Sequence, residues 1–191
     1  MNAPFRPVDT PELLRLRADD YMLLSDHGAF DEYGKTELID GVIYYMNAQH
    51  SRHARTKTRL TIALASILQS LNSDLEVVSE VAVRVADDSV PEPDIVLTRF
   101  QGDRDMPADT VSLAVEVAES SLGRDLGRKA DLYASADIPE YWVIDLNAGQ
   151  VVVQYDPRNG RYARRHEVAL GEPLASVTLA GVAIDTADLI R

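Results

Sequence analysis

Ser112-Leu113-Ala114-Val115-Glu116-Val117-Ala118 is the stretch on which the reading of this chain turns. Its run of small and β-branched apolar residues reads as a strand. Period-two alternation puts Leu113, Val115 and Val117 on one face and Ala114, Glu116 and Ala118 on the other. Glu116 is therefore a lone carboxylate between two small residues, and an unpaired buried carboxylate is costly. The strand by itself leaves two readings open, a structural ion pair or a metal ligand.

The flanking segments bear on that choice. Upstream, Pro93-Asp94 opens an apolar strand, Ile95-Val96-Leu97. Downstream, the pattern predicts a helix over 124–136, with Leu126, Ala130 and Tyr133 at i, i+4 and i+7 as its core-facing stripe. Lys129 falls on or beside that stripe. A lysine there can snorkel to the surface, or it can point its ammonium at the carboxylates of the preceding strand. Two acidic strand residues and a semi-buried lysine outline a divalent-metal phosphodiesterase site. Mg²⁺ on the carboxylates would polarise phosphate and acidify a water, and the lysine would neutralise developing charge or orient that water.

Further out, Thr36 to Met46 carries two β-rich runs around Asp40-Gly41, a hairpin signal. The longest helical pattern covers 49–71, with Leu60, Leu64, Ile67, Leu68 and Leu71 as its buried stripe. Strands are predicted at 75–85, 94–98, 112–117, 141–145, 151–155 and 162–168, and a last helix at 186–190. Short helices are expected from Thr10-Pro11 and over 18–24. Residues 1–17 read as an N-terminal appendage and 18–191 as a single domain. The order implies a mixed β-sheet with helices packed on it, an α/β or α+β core with extra C-terminal strands.

Composition bounds the chemistry. The 191 residues are 46% hydrophobic and 26% charged, which excludes disorder. There is no cysteine, so disulfides, thiolate metal sites and cysteine nucleophiles are excluded. No apolar run approaches the ~20 residues of a membrane span, and the first twenty residues lack a signal-peptide core, so a cytoplasmic protein is expected. The net charge, 19 basic against 31 acidic residues, is −12. That argues against a protein that coats nucleic acid, but not against an enzyme meeting DNA through a local basic patch and bound metal.

The ordered set of Glu37-Leu38-Ile39-Asp40-Gly41, Pro93-Asp94-Ile95-Val96, Val115-Glu116-Val117, Arg124-Asp125 with Lys129, Leu132-Tyr133-Ala134, Pro139-Glu140-Tyr141-Trp142-Val143-Ile144-Asp145 and Gly181-Val182-Ala183-Ile184-Asp185 resembles the bacterial Uma-type restriction endonuclease family of the PD-(D/E)xK superfamily. The resemblance runs over nearly all the chain after Ala18. It implies a restriction-endonuclease-like core, with Asp94 and Glu116 as metal ligands, Glu37 as a third carboxylate near the metal, and Lys129 as the catalytic lysine. The strand position two after Glu116 is Ala118, so the lysine has moved to the helix. A proline usual in the following turn is missing from Glu119-Ser120-Ser121-Leu122-Gly123.

The helix from Gln49 is basic at its start. Arg52, Arg55 and Arg59, at i, i+3 and i+7, form a stripe able to meet DNA phosphates, or an ordinary solvated face. His53 can reach the site mouth or donate to phosphate; a plain surface histidine is the simpler reading. Asp125 reads as a cap or a neighbour of the site, and Glu140 and Asp145 as structural. No serine-hydrolase set or phosphate loop is present. The functional expectation is a Mg²⁺ (or Mn²⁺) dependent DNA endonuclease, working as a homodimer to match duplex symmetry. The alternatives are a non-catalytic binding or scaffold protein on the same fold, and a phosphodiesterase for RNA or a small nucleotide.

Overall fold

A computed structural model describes residues 12–46 and 49–189. In chain order it has α1 (Ala18–Asp26), β1 (Lys35–Ile39), β2 (Val42–Met46), α2 (Ser51–Ser70), β3 (Glu76–Ser79), β4 (Val83–Arg84), β5 (Ile95–Thr98), β6 (Met106–Pro107) and β7 (Val111–Ala118). Then come α3 (Leu122–Arg124), a π-helical turn (Asp125–Lys129), α4 (Ala130–Ser135), β8 (Glu140–Asp145), β9 (Gln150–Arg158), β10 (Arg161–Ala169), β11 (Pro173–Ala175) and β12 (Ala183–Asp185). A 3₁₀ turn, Thr186–Leu189, follows them.

Six strands form one mixed sheet in the order β10-β9-β8-β7-β5-β3. Within this sheet only the β7–β8 pair is parallel, as the intervening helical crossover allows. The alternation in β7 sorts its side chains as its sequence dictates. Leu113, Val115 and Val117 pack against Leu60, Leu64 and Leu68 of α2. Ala114 and Ala118 join Ala130, Tyr133 and Tyr141 on the opposite face. Glu116 thus points into the layer between sheet and lysine helix, at the end of β7 where the site is built.

The β1–β2 hairpin turns through Asp40 (φ 52°) and Gly41 (φ 73°), a conformation that asks for glycine at the second position. A Cβ on Gly41 would lie 2.5 Å from the Cβ of Arg15, so close chain approach excludes any other residue. Arg128 clasps the carboxylate of Asp40 with two nitrogens, fastening the turn to the lysine helix.

Some expectations need correction. The strand expected over 75–85 is two, because Glu80 adopts a positive φ of 54° after β3. The lysine helix starts earlier, at Leu122, and is broken at Gly127 (φ −103°, ψ −105°) into a π-helical turn. Leu71 is 43% exposed because it sits past the last turn of α2 rather than on its stripe. The closing helix is a 3₁₀ turn, too short for regular i to i+4 bonding. The helix expected at Thr10-Pro11 lies outside the described residues.

Candidate active site

Four segments converge at the C-terminal end of β7: the hairpin, the Pro91–Asp94 approach to β5, β7 itself and the lysine helix. They border a cleft of about 1150 Å³ that also reaches the start of α2. Glu37, Asp94, Glu116 and Lys129 are all buried, at 0%, 3%, 5% and 1% exposure.

Lys129 is the hub. Its Nζ lies 2.5 Å from Glu116 Oε1 and 3.1 Å from Glu37 Oε2, so the ammonium bridges strand and hairpin. Burial works against its charge, but Glu116, Glu37 and Asp125 outweigh that and raise its pKa. Tyr133, one turn on, donates to Glu116 Oε1 at 3.0 Å. Burial pushes Glu116 up to about 8, aided by Asp125, Asp94 and Glu37 and opposed by Lys129. A full negative charge on Glu116 thus calls for more positive charge than Lys129 supplies.

Asp94 is held differently. Its Oδ2 accepts the Val117 backbone N–H at 2.8 Å and lies 3.2 Å from His53 Nε2. Gln49 donates to Oδ1 at 3.3 Å, and the Lys57 ammonium lies 3.9 Å away. Burial would raise this carboxyl, but His53 and the Val117 N–H hold it below its usual range. Asp94 is therefore an anion, aimed across the cleft by fixed donors.

The donor set fits a hard divalent cation. Glu37 Oε1 is buried with no hydrogen-bond partner, although the Arg124 guanidinium lies 3.5 Å away as an ion pair. Glu116 Oε2 receives no hydrogen bond among the described residues. Glu116 lines the cleft, with Glu37 buried behind it, and carboxylate oxygens left without hydrogen bonds are suited to oxygen-preferring ions. Among the described residues no three His, Asp or Glu side chains stand as a ready-made metal cage. Lys129 Nζ itself sits between Glu37 and Glu116.

The sequence pattern of the family described as "Uma2: Putative restriction endonuclease" matches residues 18–187. The chain belongs to this family. Among solved structures, it resembles one from Anabaena variabilis described as a "putative nuclease belonging to DUF820". The TM-score is 0.63 at 13% identity, covering 81% of this chain and 89% of that one, so the likeness is one of fold. A search of curated proteins finds no match. The Uma2 assignment and the nuclease-like fold agree with the mixed sheet flanked by helices.

In this Uma2 chain, Glu37, Asp94, Glu116 and Lys129 meet in one chamber. His53 is not a surface residue: it is buried, and its Nδ1 has no partner. The arginine stripe does not converge on the chamber. Arg52 donates to the Leu146 carbonyl at 2.6 Å and Arg59 to the Leu189 carbonyl at 3.4 Å, while Arg55 is exposed. At 100° per residue, that stripe lies on a different face of α2 from His53 and Lys57.

Sequence reasoning passed over Glu92, Lys57, Arg124 and Tyr133's hydroxyl as parts of the site. Glu92 had a signal: in Pro91-Glu92-Pro93-Asp94 the prolines enforce extended chain, and residues two apart share a face. Its backbone N–H donates to Glu37 Oε2 at 3.4 Å, and burial raises its own carboxyl. In the turn that lacks the proline, Ser121 makes the local bonds. Its carbonyl accepts the N–H groups of Arg124 and Asp125, and its hydroxyl donates to the Asp125 carboxylate.

Proposed function

We propose that this chain is a Mg²⁺- or Mn²⁺-dependent DNA endonuclease, hydrolysing phosphodiester bonds in the cleft at the end of β7. The observation that carries this reading is Lys129, an ammonium buried between the carboxylates of Glu37 and Glu116 at the floor of an open cleft. Asp94, Glu116 and Glu37 would hold the ion, which when bound polarises the phosphate and lowers the pKa of a water.

The chain's own groups then divide the work. Asp94, kept anionic and oriented by Val117 N–H and His53, is the fixed ligand. Glu116 contributes the oxygen that Lys129 and Tyr133 leave free. Lys129 would face the negative charge that grows as water attacks phosphorus, and a preset cation there lowers the barrier. Of the arginine stripe, only the exposed Arg55 is left to meet the DNA backbone, at a distance from the cleft, because Arg52 and Arg59 are bonded to the Leu146 and Leu189 carbonyls. His53, assigned by sequence to DNA, serves Asp94 instead.

A homodimer in the cytoplasm completes the proposal, the dimer being supported by the two-fold symmetry of duplex DNA. Among the described residues, no helix is long and apolar enough to cross a membrane. The non-catalytic alternative draws on one observation: Lys129 already forms ion pairs with both Glu116 and Glu37, as a buried structural counterion would. The test is plasmid nicking with Mg²⁺ or Mn²⁺ by wild type and Asp94→Asn. Metal-dependent nicking by wild type alone supports the endonuclease; no nicking by either favours the scaffold.

A further inference from the structure

Two tyrosines on the cleft wall have no role in this chemistry. Tyr33 ends the 3₁₀ turn before β1, and Tyr45 lies in β2. They are 56% and 66% exposed, their ring centroids are 5.8 Å apart at an interplanar angle of 51°, and both line the same cleft as Asp94, Glu116 and Lys129. Large aromatic rings at such exposure forfeit most of the burial that would justify them in a core.

Their neighbours make the wall mixed rather than greasy. Lys35, paired across the hairpin with Met46 beside Tyr45, commits its ammonium to the Glu92 carbonyl at 3.1 Å, and Glu32, Glu80 and Glu92 also line the cleft. An apolar peptide would find two rings and little else. A flat π-system attached to an anionic backbone would find both a stacking surface and, next to it, the carboxylate–lysine chamber. Within a stacked duplex, base faces are covered by neighbouring base pairs and cannot reach a ring.

Resting on the endonuclease reading, we propose that Tyr33 and Tyr45 stack an unpaired nucleobase, so that the preferred substrate is single-stranded or locally opened DNA. The rings seat the base while its phosphate lies toward Asp94 and Lys129. Base–aromatic stacking tolerates any base, so the pair selects strand state and not sequence.

The experiment measures fluorescence anisotropy of three labelled 15-mers with full-length protein in Ca²⁺, which we use to allow binding without turnover. The probes are oligo-dT, its duplex with oligo-dA, and an abasic strand with the same phosphates. Wild type is expected to bind oligo-dT about 10-fold or more tightly than the abasic strand or the duplex. Tyr33→Ala/Tyr45→Ala should lose that preference and Tyr33→Phe/Tyr45→Phe should keep it, at unchanged melting temperature. Equal binding of oligo-dT and abasic strand by wild type, or an undiminished preference in the double alanine variant, overturns the inference. Metal-dependent duplex cleavage that both variants retain overturns it too while leaving the endonuclease reading in place. Tyrosine-dependent oligo-dT binding by a protein that never cleaves would do the opposite, upholding the stacking site and overturning the endonuclease reading.

Discussion

The Lys129 ammonium lies 2.5 Å from Glu116 Oε1 in a chamber where neither side chain keeps more than 7% of its surface exposed. Such a pair contributes little net stability, because two ions lost their hydration to form it. Removing one partner is another matter. Lys129→Met should leave Glu116 without a cation and Glu37 with only Arg124, and cost about 3–5 kcal/mol if both carboxylates stay charged.

That cost should depend on pH. A carboxyl whose folded pKa is raised stabilises the fold fully below its unfolded value and loses that contribution as pH rises through the folded one. For Glu116 the window runs from about 4.5 to about 8 with Lys129 present, and extends upward without it. The gap in urea midpoint between wild type and Lys129→Met should therefore be larger at pH 9 than at pH 6. An equal gap would mean that the lysine is not the carboxylates' counterion.

Metal binding should follow the same titration. Protons compete with the ion for Glu116, so the rise in melting temperature on adding Mn²⁺ should be greater at pH 8.5 than at pH 6.5. Asp94→Asn/Glu116→Gln should abolish the rise at both. A shift that survives in the double variant would place the ion elsewhere.

The Arg128–Asp40 clasp is about half exposed on each side, so its loss should cost at most about 1 kcal/mol. Yet it docks the hairpin that carries Glu37. Arg128→Ala is expected to leave the melting temperature nearly unchanged while amide exchange across β1 and β2 speeds up. Unchanged exchange would show that packing alone seats the hairpin.

Glu140 is a structural counterpart to Glu116. Its fully buried carboxylate accepts from five donors: Trp142 Nε1, Ser176 Oγ, and Val177 N, Thr178 N and Thr178 Oγ1. Glu140→Ala strands all five, and at about 1 kcal/mol or more each the loss should be several kcal/mol. Urea denaturation and proteolysis within residues 170–182 would report it, without any effect on metal binding by the folded fraction.

What the sequence revealed and what it hid divide along sequence distance. The Asp40-Gly41 turn and the facing of Glu116 were legible because backbone conformation and period-two alternation are local. The break at Glu80 was not, since a positive φ at a glutamate is imposed by the tertiary path. Gly127 could have warned of the π-helical turn, because it is the weakest helix former in that stretch. His53 looked like a surface residue because its partner, Asp94, is far along the chain. The arginine stripe has helical spacing, but the spacing does not say that the helix turns it away from the chamber.

In the proposed endonuclease, Lys129 acts on the reaction rather than on the ion. The most direct measurement pairs plasmid nicking with Mn²⁺ titration calorimetry for wild type and Lys129→Ala, at equal folded concentration. Nicking should be lost in Lys129→Ala, by about 100-fold or more, roughly the loss on removing a single transition-state donor. The variant should still bind Mn²⁺ at least as tightly as wild type, because the competing ammonium has gone. Nicking near the wild-type rate, with metal affinity unchanged, would contradict that role and return Lys129 to a buried counterion.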